Sequence, residues 1–263
     1  MKQRLSRLAL GGYSILVIVY LFVPIAVMVV FSFNKPRGRR NYEWNRFSLD
    51  AWKDPFKYEN LRAAFVKSLE VGLIVTVVAG VIGTVMAVSL VKYRFRGKGF
   101  LNTLIVMPLT MPEVVLGFSL LNLFVLVDQQ RGVLTIVIAH VMFCISYVAT
   151  TVKARIRGFN WQLEEAAADL GATPWQTFRR VTFPIIAPGV FAAALLTFAL
   201  SLDDFTITYF VSGRDRTFPL EVWTEKQFPP QINVFGTLIL LAAVVLSVAG
   251  MLNSRRRTAR SKP

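Results

Sequence analysis

The sequence predicts an all-α polytopic membrane protein with six transmembrane helices, and three observations support this fold class. Of the 263 residues, 54% are hydrophobic and 17% are charged, whereas soluble domains carry roughly 25% charged residues. The apolar residues fall into six runs, each long enough to cross a bilayer as a helix of about 20 residues. None of the runs alternates apolar with polar residues as a barrel strand would, so each should be a helix whose backbone satisfies its own hydrogen bonds.

The six predicted helices together form one transmembrane domain over residues 1–263. Their approximate bounds are 11–33, 64–91, 101–127, 133–152, 185–211 and 232–252. The first run follows basic residues, as the apolar part of a signal peptide does. It is too long for such a segment, however, and no small-residue cleavage site precedes Phe31. We therefore interpret the first run as a transmembrane helix that the protein retains.

The distribution of lysine and arginine predicts the orientation of these helices. The net charge is +15, and most basic residues lie in four segments: 2–7, 92–98, 153–180 and 255–262. With six crossings these segments share one face, which the positive-inside rule assigns to the cytoplasm. Both termini should then be cytoplasmic, in a bacterial plasma (inner) membrane. Because the basic residues lie between long apolar runs, their charge indicates orientation and not a nucleic-acid partner.

The loop at residues 34–67, on the predicted outer face, is also basic and so departs from this rule. It contains Arg37, Arg39 and Arg40, together with the aromatic residues Trp44 and Trp52. Aromatic residues are enriched at membrane–water interfaces, so we expect an ordered loop that lies at that interface. Docking of a partner is the alternative role.

Few residues could support covalent chemistry or metal binding. His140 is the only histidine and Cys144 the only cysteine, which argues against a histidine metal cluster, a catalytic triad and a disulfide framework. Both are expected to pack within helices, His140 with hydrogen bonds. The chain also lacks a Gly-x-x-x-x-Gly-Lys-[Ser/Thr] phosphate loop for ATP. We predict that it is not an enzyme and that it binds no metal or cofactor of its own.

The cytoplasmic segment at 153–184 is longer than a connector needs to be. Residues 164–170 are rich in alanine, leucine and glutamate, which favour a helix, and Gly171 is suited to end it. Residues 173–176 (TPWQ) then begin a second helix with an N-cap threonine, a proline at the first position and a capping-box glutamine. We expect Pro184 to end this second helix near the membrane surface.

The same segment carries a signature. It contains Glu165-Ala166-Ala167, then Gly171 after three residues, and Val181-Thr182-Phe183-Pro184 after nine more. This pattern resembles the EAA motif of type I ABC importer permeases. The family has isoleucine and leucine where this chain has Val181 and Phe183. The resemblance implies a permease fold, with a coupling helix that sits in a groove of a cytoplasmic ATPase. The residues to which it assigns this coupling are Glu164, Glu165, Ala166, Ala167, Asp169 and Gly171.

The resemblance also implies a set of partners. They are a second, homologous permease subunit, two ATP-binding subunits that use ATP and magnesium, and an extracytoplasmic substrate-binding protein. ATP hydrolysis would therefore take place in a separate subunit, and this chain would form half of the pathway.

Two prolines interrupt the third predicted helix. Pro108 and Pro112 each remove a backbone donor, so the helix should kink or break there. Irregular backbone within a membrane is tolerated where it lines a cavity or packs in protein. Glu113 follows directly, and we expect it to face such a cavity.

Carboxylates within the predicted helices are the candidates for substrate contact. They are costly in hydrocarbon and usually face a cavity or a partner. Asp203 and Asp204 precede Phe205 and Tyr209, and carboxylates beside aromatic rings suit a cation. Each acid could instead pair with a basic residue of another subunit or cap a broken helix. The predicted substrate-pathway residues are Glu113, Asp203, Asp204, Phe205 and Tyr209.

Two further stretches resemble the polyamine branch of this family, the C-type permeases for spermidine and putrescine. They are residues 111–117 (MPEVVLG), and residues 201–205 (SLDDF) followed by 210–213 (FVSG). The resemblance implies a polyamine cargo, while permeases for ferric iron, phosphonate or thiamine share much of the scaffold. An autonomous ion channel or secondary transporter would explain the intramembrane acids but not the EAA spacing.

Overall fold

The computed structural model describes residues 2–260, and within this range the chain is built from helices. In chain order they are α1 (Lys2–Phe31), α2 (Asp50–Lys53), α3 (Glu59–Lys92), α4 (Lys98–Thr110), α5 (Glu113–Leu126), α6 (Val133–Ile156), α7 (Gln162–Asp169), α8 (Pro174–Thr177), a π-helical turn (Phe178–Thr182), α9 (Phe183–Asp203), α10 (Thr206–Val211), α11 (Phe218–Thr224) and α12 (Pro230–Arg260). The described residues form no strand, and one antiparallel bridge pairs Asn34 with Phe47. An all-helical fold is therefore confirmed.

Four of these helices are long and apolar enough to cross a membrane, over residues 10–31, 59–92, 133–156 and 174–203. The pair α4 and α5 adds a fifth span if it counts as one, although its two halves are bent by 109°. The sixth predicted span begins in α12, where the apolar stretch Pro230–Val245 is shorter. The basic side chains of residues 2–7 and 255–262, on which the orientation prediction partly rests, lie outside the part of the chain whose side chains are described.

The chain divides into two compact units. One unit contains the chain up to Arg62 together with the chain from Thr224 onward. In it, α1 packs on α12, where a Cβ at Gly236 would come within 2.5 Å of the Met28 sulfur atom. This close approach explains why a glycine stands at that point of α12.

The second unit, Ala63–Trp223, has α6 at its centre. Ile136, Cys144 and Val148 of this helix are fully buried, which confirms Cys144 as a residue of the core. At Gly83 of α3, a Cβ would come within 2.6 Å of Val148. Bundles in membranes use small residues in this way to bring helices close together.

Two of the predicted spans are not single helices. The third breaks between Thr110 and Glu113, because Met111 adopts an extended conformation (φ −79°, ψ 138°) that the following proline favours. Pro108 lies within α4 and does not end it. The fifth span, predicted to run unbroken over 185–211, instead stops after Asp203, where Asp204 is extended, and restarts as α10.

Candidate functional site

The two helix breaks lie at one cavity of about 240 Å³ in the second unit. We call it the break cavity, and its lining residues are Pro108, Leu109, Met111, Glu113, Leu116, Phe143, Tyr147, Leu200, Asp203, Asp204, Phe205, Thr206 and Ile207. Four of the five predicted substrate-pathway residues belong to this lining. The structure thus brings together residues that are 90 positions apart in sequence, from Glu113 to Asp203.

Asp204 has its carboxylate turned into the protein, with 5% of the side chain exposed. Its Oδ2 atom accepts hydrogen bonds from the backbone N–H of Thr208 at 2.8 Å and from the Thr208 hydroxyl at 2.8 Å. Oδ1 accepts from the N–H of Ile207 at 3.3 Å. These two N–H groups lie in the first turn of α10, where backbone donors have no partner within the helix itself. Asp204 therefore caps the broken helix, one of the two alternatives that the sequence left open for it.

His140 holds this cap from the neighbouring helix α6. The imidazole is fully buried, with Nδ1 2.8 Å from the hydroxyl oxygen of Ser201. Its Nε2 atom lies 3.1 Å from Asp204 Oδ2 and 3.0 Å from the Thr208 hydroxyl oxygen. Because a carboxylate only accepts hydrogen bonds, Nε2 carries a proton toward Asp204.

The prediction that His140 is packed and hydrogen-bonded is confirmed, but its link to Asp204 could not be predicted from the sequence. His140 and Asp204 are far apart in sequence, and they meet only because α6 packs against α9 and α10. The His140 cluster is the part of the site that sequence reasoning missed.

Asp203 and Glu113 differ from Asp204 in exposure and in partners. Both side chains are exposed at the break cavity, and among the described residues neither forms an ion pair or a side-chain hydrogen bond. Glu113 occupies the first turn of α5, where a negative charge is favourable with respect to the helix dipole. These two carboxylates are available to a ligand in the cavity.

Aromatic rings extend from the break at Asp204. Phe205 lines the cavity, with its ring centroid 5.8 Å from that of Tyr209 and 5.3 Å from that of Trp223. Tyr209 is exposed and is not a lining residue, so of these two rings only that of Phe205 borders the cavity. Trp223 was not among the predicted residues, because it belongs to a separate short helix.

The segment with the EAA motif has the predicted helix–turn–helix form. The helix α7 ends at Gly171 in a left-handed conformation (φ 81°). The N–H of Gly171 donates to the carbonyl of Ala168 at 2.8 Å, and that of Ala172 donates to the carbonyl of Ala167 at 3.0 Å. This is the pattern of a Schellman motif, so the predicted role of Gly171 in ending the helix is confirmed.

The second helix of the segment begins as predicted but does not end as predicted. The Thr173 hydroxyl accepts from the N–H of Gln176 at 3.4 Å, and the Gln176 side chain accepts from the N–H of Thr173 at 3.0 Å, which confirms the capping box. The expectation that Pro184 stops the helix is wrong. A π-helical turn over Phe178–Thr182 leads directly into α9. In a regular α-helix the ring of Pro184 would clash with the carbonyl four residues earlier, and the wider π-helical turn leaves room for it.

Glu164 and Glu165 lie side by side in α7 but face in different directions. The Glu164 carboxylate accepts hydrogen bonds from Lys92 Nζ at 2.5 Å and from the Thr182 hydroxyl at 2.5 Å, and 12% of its side chain is exposed. It therefore fastens α7 to the end of α3 and to the π-helical turn. Glu165 is exposed and forms no ion pair within the described residues.

The remaining residues of the EAA segment form an outward surface. Ala166, Asp169 and Gly171 are exposed, while Ala167 is partly buried. Three apolar side chains of the same segment, which the sequence pattern did not indicate, are exposed as well: Leu163, Leu170 (90% exposed) and Trp175 (67% exposed). Large apolar groups exposed beside polar ones are typical of a protein–protein contact.

Comparisons with known proteins give consistent results. Residues 79–258 match the family model described as "Binding-protein-dependent transport system inner membrane component". The chain is 33% identical over 257 residues to the spermidine/putrescine transport system permease protein PotC of Escherichia coli (strain K12), covering 97% of each chain. It is 38% identical over 237 residues to the putrescine transport system permease protein PotI of the same organism, covering 86% of this chain and 84% of PotI.

Solved structures show the same fold. A bacterial ABC transporter involved in the import of the acidic polysaccharide alginate has a chain that superposes with a TM-score of 0.71 over 97% of both chains, at 13% identity. A chain of an amino acid ABC transporter superposes with a TM-score of 0.57 over 80% of this chain and 100% of its own, at 16% identity.

Proposed function

We propose that this chain, which belongs to the family of binding-protein-dependent transport system inner membrane components, carries a polyamine such as spermidine or putrescine through the membrane. The family consists of permease subunits of ABC importers and not of enzymes. Relatives that match nearly the whole length of the chain are named for these two polyamines. The observation that carries the proposal is the pair of carboxylates, Asp203 and Glu113, exposed beside an aromatic ring in the break cavity.

The chemistry of the cavity suits an organic cation. A primary ammonium group can pair with Asp203 or Glu113, and it can lie against the ring of Phe205 through a cation–π contact. Because Asp204 is already engaged by His140 and by the start of α10, it shapes the cavity instead of binding the cargo. A ferric, phosphonate or thiamine cargo is less well matched, since none combines two or more flexible ammonium groups.

The proposal includes the membrane arrangement and the partners. The chain crosses the membrane six times as one domain, with both termini in the cytoplasm, and a second homologous permease completes the pathway. Two ATP-binding subunits, which use ATP and magnesium, and an extracytoplasmic binding protein complete the importer. This chain itself binds no metal or cofactor.

Coupling to the ATP-binding subunits is assigned to α7 and its turn. Glu165, Ala166, Asp169 and Gly171, with the half-buried Ala167, form the docking surface together with Leu163, Leu170 and Trp175. Glu164 serves the coupling differently, because its contacts with Lys92 and Thr182 join α7 to α3 and to the turn that leads into α9. A movement of the docked helix α7 would then be transmitted to the membrane helices α3 and α9.

Uptake by the complete importer in liposomes, with ATP enclosed and labelled putrescine outside, tests the proposed cargo. Asp203→Asn and Glu113→Gln should each raise the KM for uptake about tenfold, which is the loss expected for one charge-assisted hydrogen bond. Glu59→Gln removes an exposed acid elsewhere in the chain and is the matched control. An unchanged KM in both cavity variants contradicts the assignment, and uptake that persists without ATP indicates a channel or secondary transporter.

A further inference from the structure

We propose that the loop after α1 binds the phosphate headgroup of an anionic phospholipid. The loop covers residues 34–47, and we call it the arginine loop. It encloses a cavity of about 410 Å³ within the first unit. The residues that line this cavity are Pro36, Arg37, Gly38, Arg40, Tyr42, Glu43, Trp44 and Asn45.

The arginine loop is held in shape by a buried asparagine pair. Asn34 Nδ2 donates to Asn41 Oδ1 at 2.7 Å and to the carbonyl of Glu43 at 2.7 Å, while Asn34 Oδ1 accepts from the N–H of Asn45 at 2.9 Å. Asn41 in turn donates to the carbonyl of Phe31, the last residue of α1, at 2.8 Å. These hydrogen bonds therefore fix the shape of the cavity and attach the loop to the end of a candidate membrane span.

Most cations of the loop have no anionic partner in the part of the chain that the structure describes. Arg37, Arg39, Arg40 and Arg46 form no ion pair with a carboxylate among the described residues. Arg37 Nε donates to Asn45 Oδ1 at 3.0 Å, and Arg40 Nε donates to the carbonyl of Lys226 at 3.4 Å. Each of these bonds uses one N–H and orients the guanidinium, whose terminal N–H groups remain available for a phosphate.

Lys35 and Glu43 complete the charge balance of the loop. Lys35 is engaged with Asp50 at 2.5 Å, and this hydrogen bond holds the pKa of the Asp50 carboxyl below its usual range. Glu43 is the one carboxylate of the loop and lies in the lining of the cavity. Glu43 supplies one negative charge, whereas four arginines have no carboxylate partner in the described part of the chain. The site is therefore net positive.

The surroundings of the loop favour a lipid over a soluble ligand. The apolar part of α1, residues 10–31, has no residue buried inside the protein, so this helix presents its sides to other apolar material. Trp44 packs edge-on against Phe31 with ring centroids 6.2 Å apart, and the exposed fractions of Tyr42 and Trp44 are 65% and 47%. Such aromatic residues lie at the depth of the headgroups, where the guanidinium groups of Arg37 and Arg40 would meet lipid phosphates.

The site also explains why a basic loop is found on the predicted outer face. Each basic residue close to a membrane surface strengthens the attraction to anionic lipid by about fivefold. Attraction to anionic lipid would thus hold a loop with four guanidinium groups at the outer membrane surface, although basic residues are generally more frequent on the cytoplasmic side.

Thermal unfolding of the complete importer in detergent, titrated with phosphatidylglycerol, tests this proposal. The lipid should raise the unfolding temperature, and Arg37→Gln/Arg40→Gln should raise the apparent Kd for the lipid about 30-fold. Phosphatidylcholine should have no comparable effect. Lys53→Gln/Lys57→Gln removes the same charge from exposed positions nearby and is the matched control.

Four results would overturn the proposal. An equal loss in the control variant means general electrostatic attraction, and equal stabilisation by inorganic phosphate means a free-phosphate site. Arginine variants that weaken only the affinity for the extracytoplasmic binding protein mean that an acidic protein docks there. If the glutamine variant does not assemble, Arg37→Lys/Arg40→Lys keeps the charge but loses bidentate geometry, and full lipid affinity in that variant contradicts the site.

Discussion

Two regions of the molecule contain adjacent acidic residues, Glu164–Glu165 in α7 and Asp203–Asp204 at the end of α9. In each pair one carboxylate is held by the fold and its neighbour is exposed. The second unit therefore uses one acid of each pair to fasten a helix and leaves the other for a partner or a ligand. Consecutive side chains of a helix point in different directions, which separates Glu164 from Glu165 in α7. Asp204 instead follows the end of α9 in an extended conformation, so the helix break separates it from Asp203.

The two held acids differ in how deeply they are buried. Asp204 is bonded to a fully buried histidine and to backbone N–H groups, where a lost partner leaves unsatisfied polar atoms at full cost. Glu164 is bonded to Lys92, whose side chain is 35% exposed, so solvent can replace part of the interaction. We expect the stability of the protein to depend more on Asp204 than on Glu164.

The largest expected effect is that of Asp204→Ala. It removes the cap of α10 and the charged one of the two oxygen atoms within hydrogen-bond distance of His140 Nε2, so the free energy of unfolding should fall by about 3 kcal/mol. Thermal unfolding of the purified complex measures this change. Asp203→Ala is the matched control and should change stability by less than about 0.5 kcal/mol; equal losses in the two variants would show that Asp204 is not the structural member of the pair.

Glu164→Ala should have a smaller effect on stability, of about 1–2 kcal/mol, because it removes two hydrogen bonds to a carboxylate that is partly accessible to solvent. It should also reduce the uptake obtained per ATP hydrolysed, since α7 loses its attachment to Lys92 and Thr182.

Glu165→Ala is the control for this comparison. It should leave the unfolding temperature unchanged and lower the stimulation of ATP hydrolysis by the loaded binding protein. A Glu165 variant with reduced stability and normal coupling would reverse the roles assigned to the two glutamates.

Gly171→Val should cost about 1–2 kcal/mol, because a branched side chain is strained at a φ of 81°. A Cβ added at Gly171 would meet no heavy atom within 4 Å, so the cost is one of backbone conformation and not of packing. Gly171→Asn should cost less, since asparagine tolerates this conformation. Gly158→Ala, at a glycine with open space and no positive φ, is the control and should be neutral; a Gly171→Val variant as stable as this control would contradict the assigned turn.

The smallest expected effect concerns the rings beside the second pair. Phe205→Leu should raise the KM for putrescine two- to fivefold, which corresponds to a cation–π contact of about 0.5–1 kcal/mol. Tyr209→Leu should change the KM less, because Tyr209 is not part of the cavity lining. A larger effect at Tyr209 in the same uptake assay would mean that the cargo contacts Tyr209 outside the break cavity.

Features that depend on neighbouring residues could be predicted from the sequence. The break before Glu113 follows from Pro112, the end of α7 from Gly171, and the start of α8 from the capping box at Thr173. The second break, after Asp203, has no proline or glycine to mark it. This break depends on the Asp204 carboxylate, which caps α10 and is bonded to a histidine 64 residues away. The π-helical turn, which leads into α9 without a stop at Pro184, likewise has no local sequence pattern that predicts it.

The amino-acid sequence alone is enough to identify an apolar helical permease, to locate several of its helix ends and turns, and to nominate the acids that are candidates for function. Hydrophobic run length, the positions of proline and glycine and the EAA spacing are local properties, so they can be read without a structure. Which acid of each pair is held and which is exposed became evident only from the packed bundle. The reason is that Lys92, Thr182 and His140 come from other parts of the chain and reach the acids only when the helices pack together.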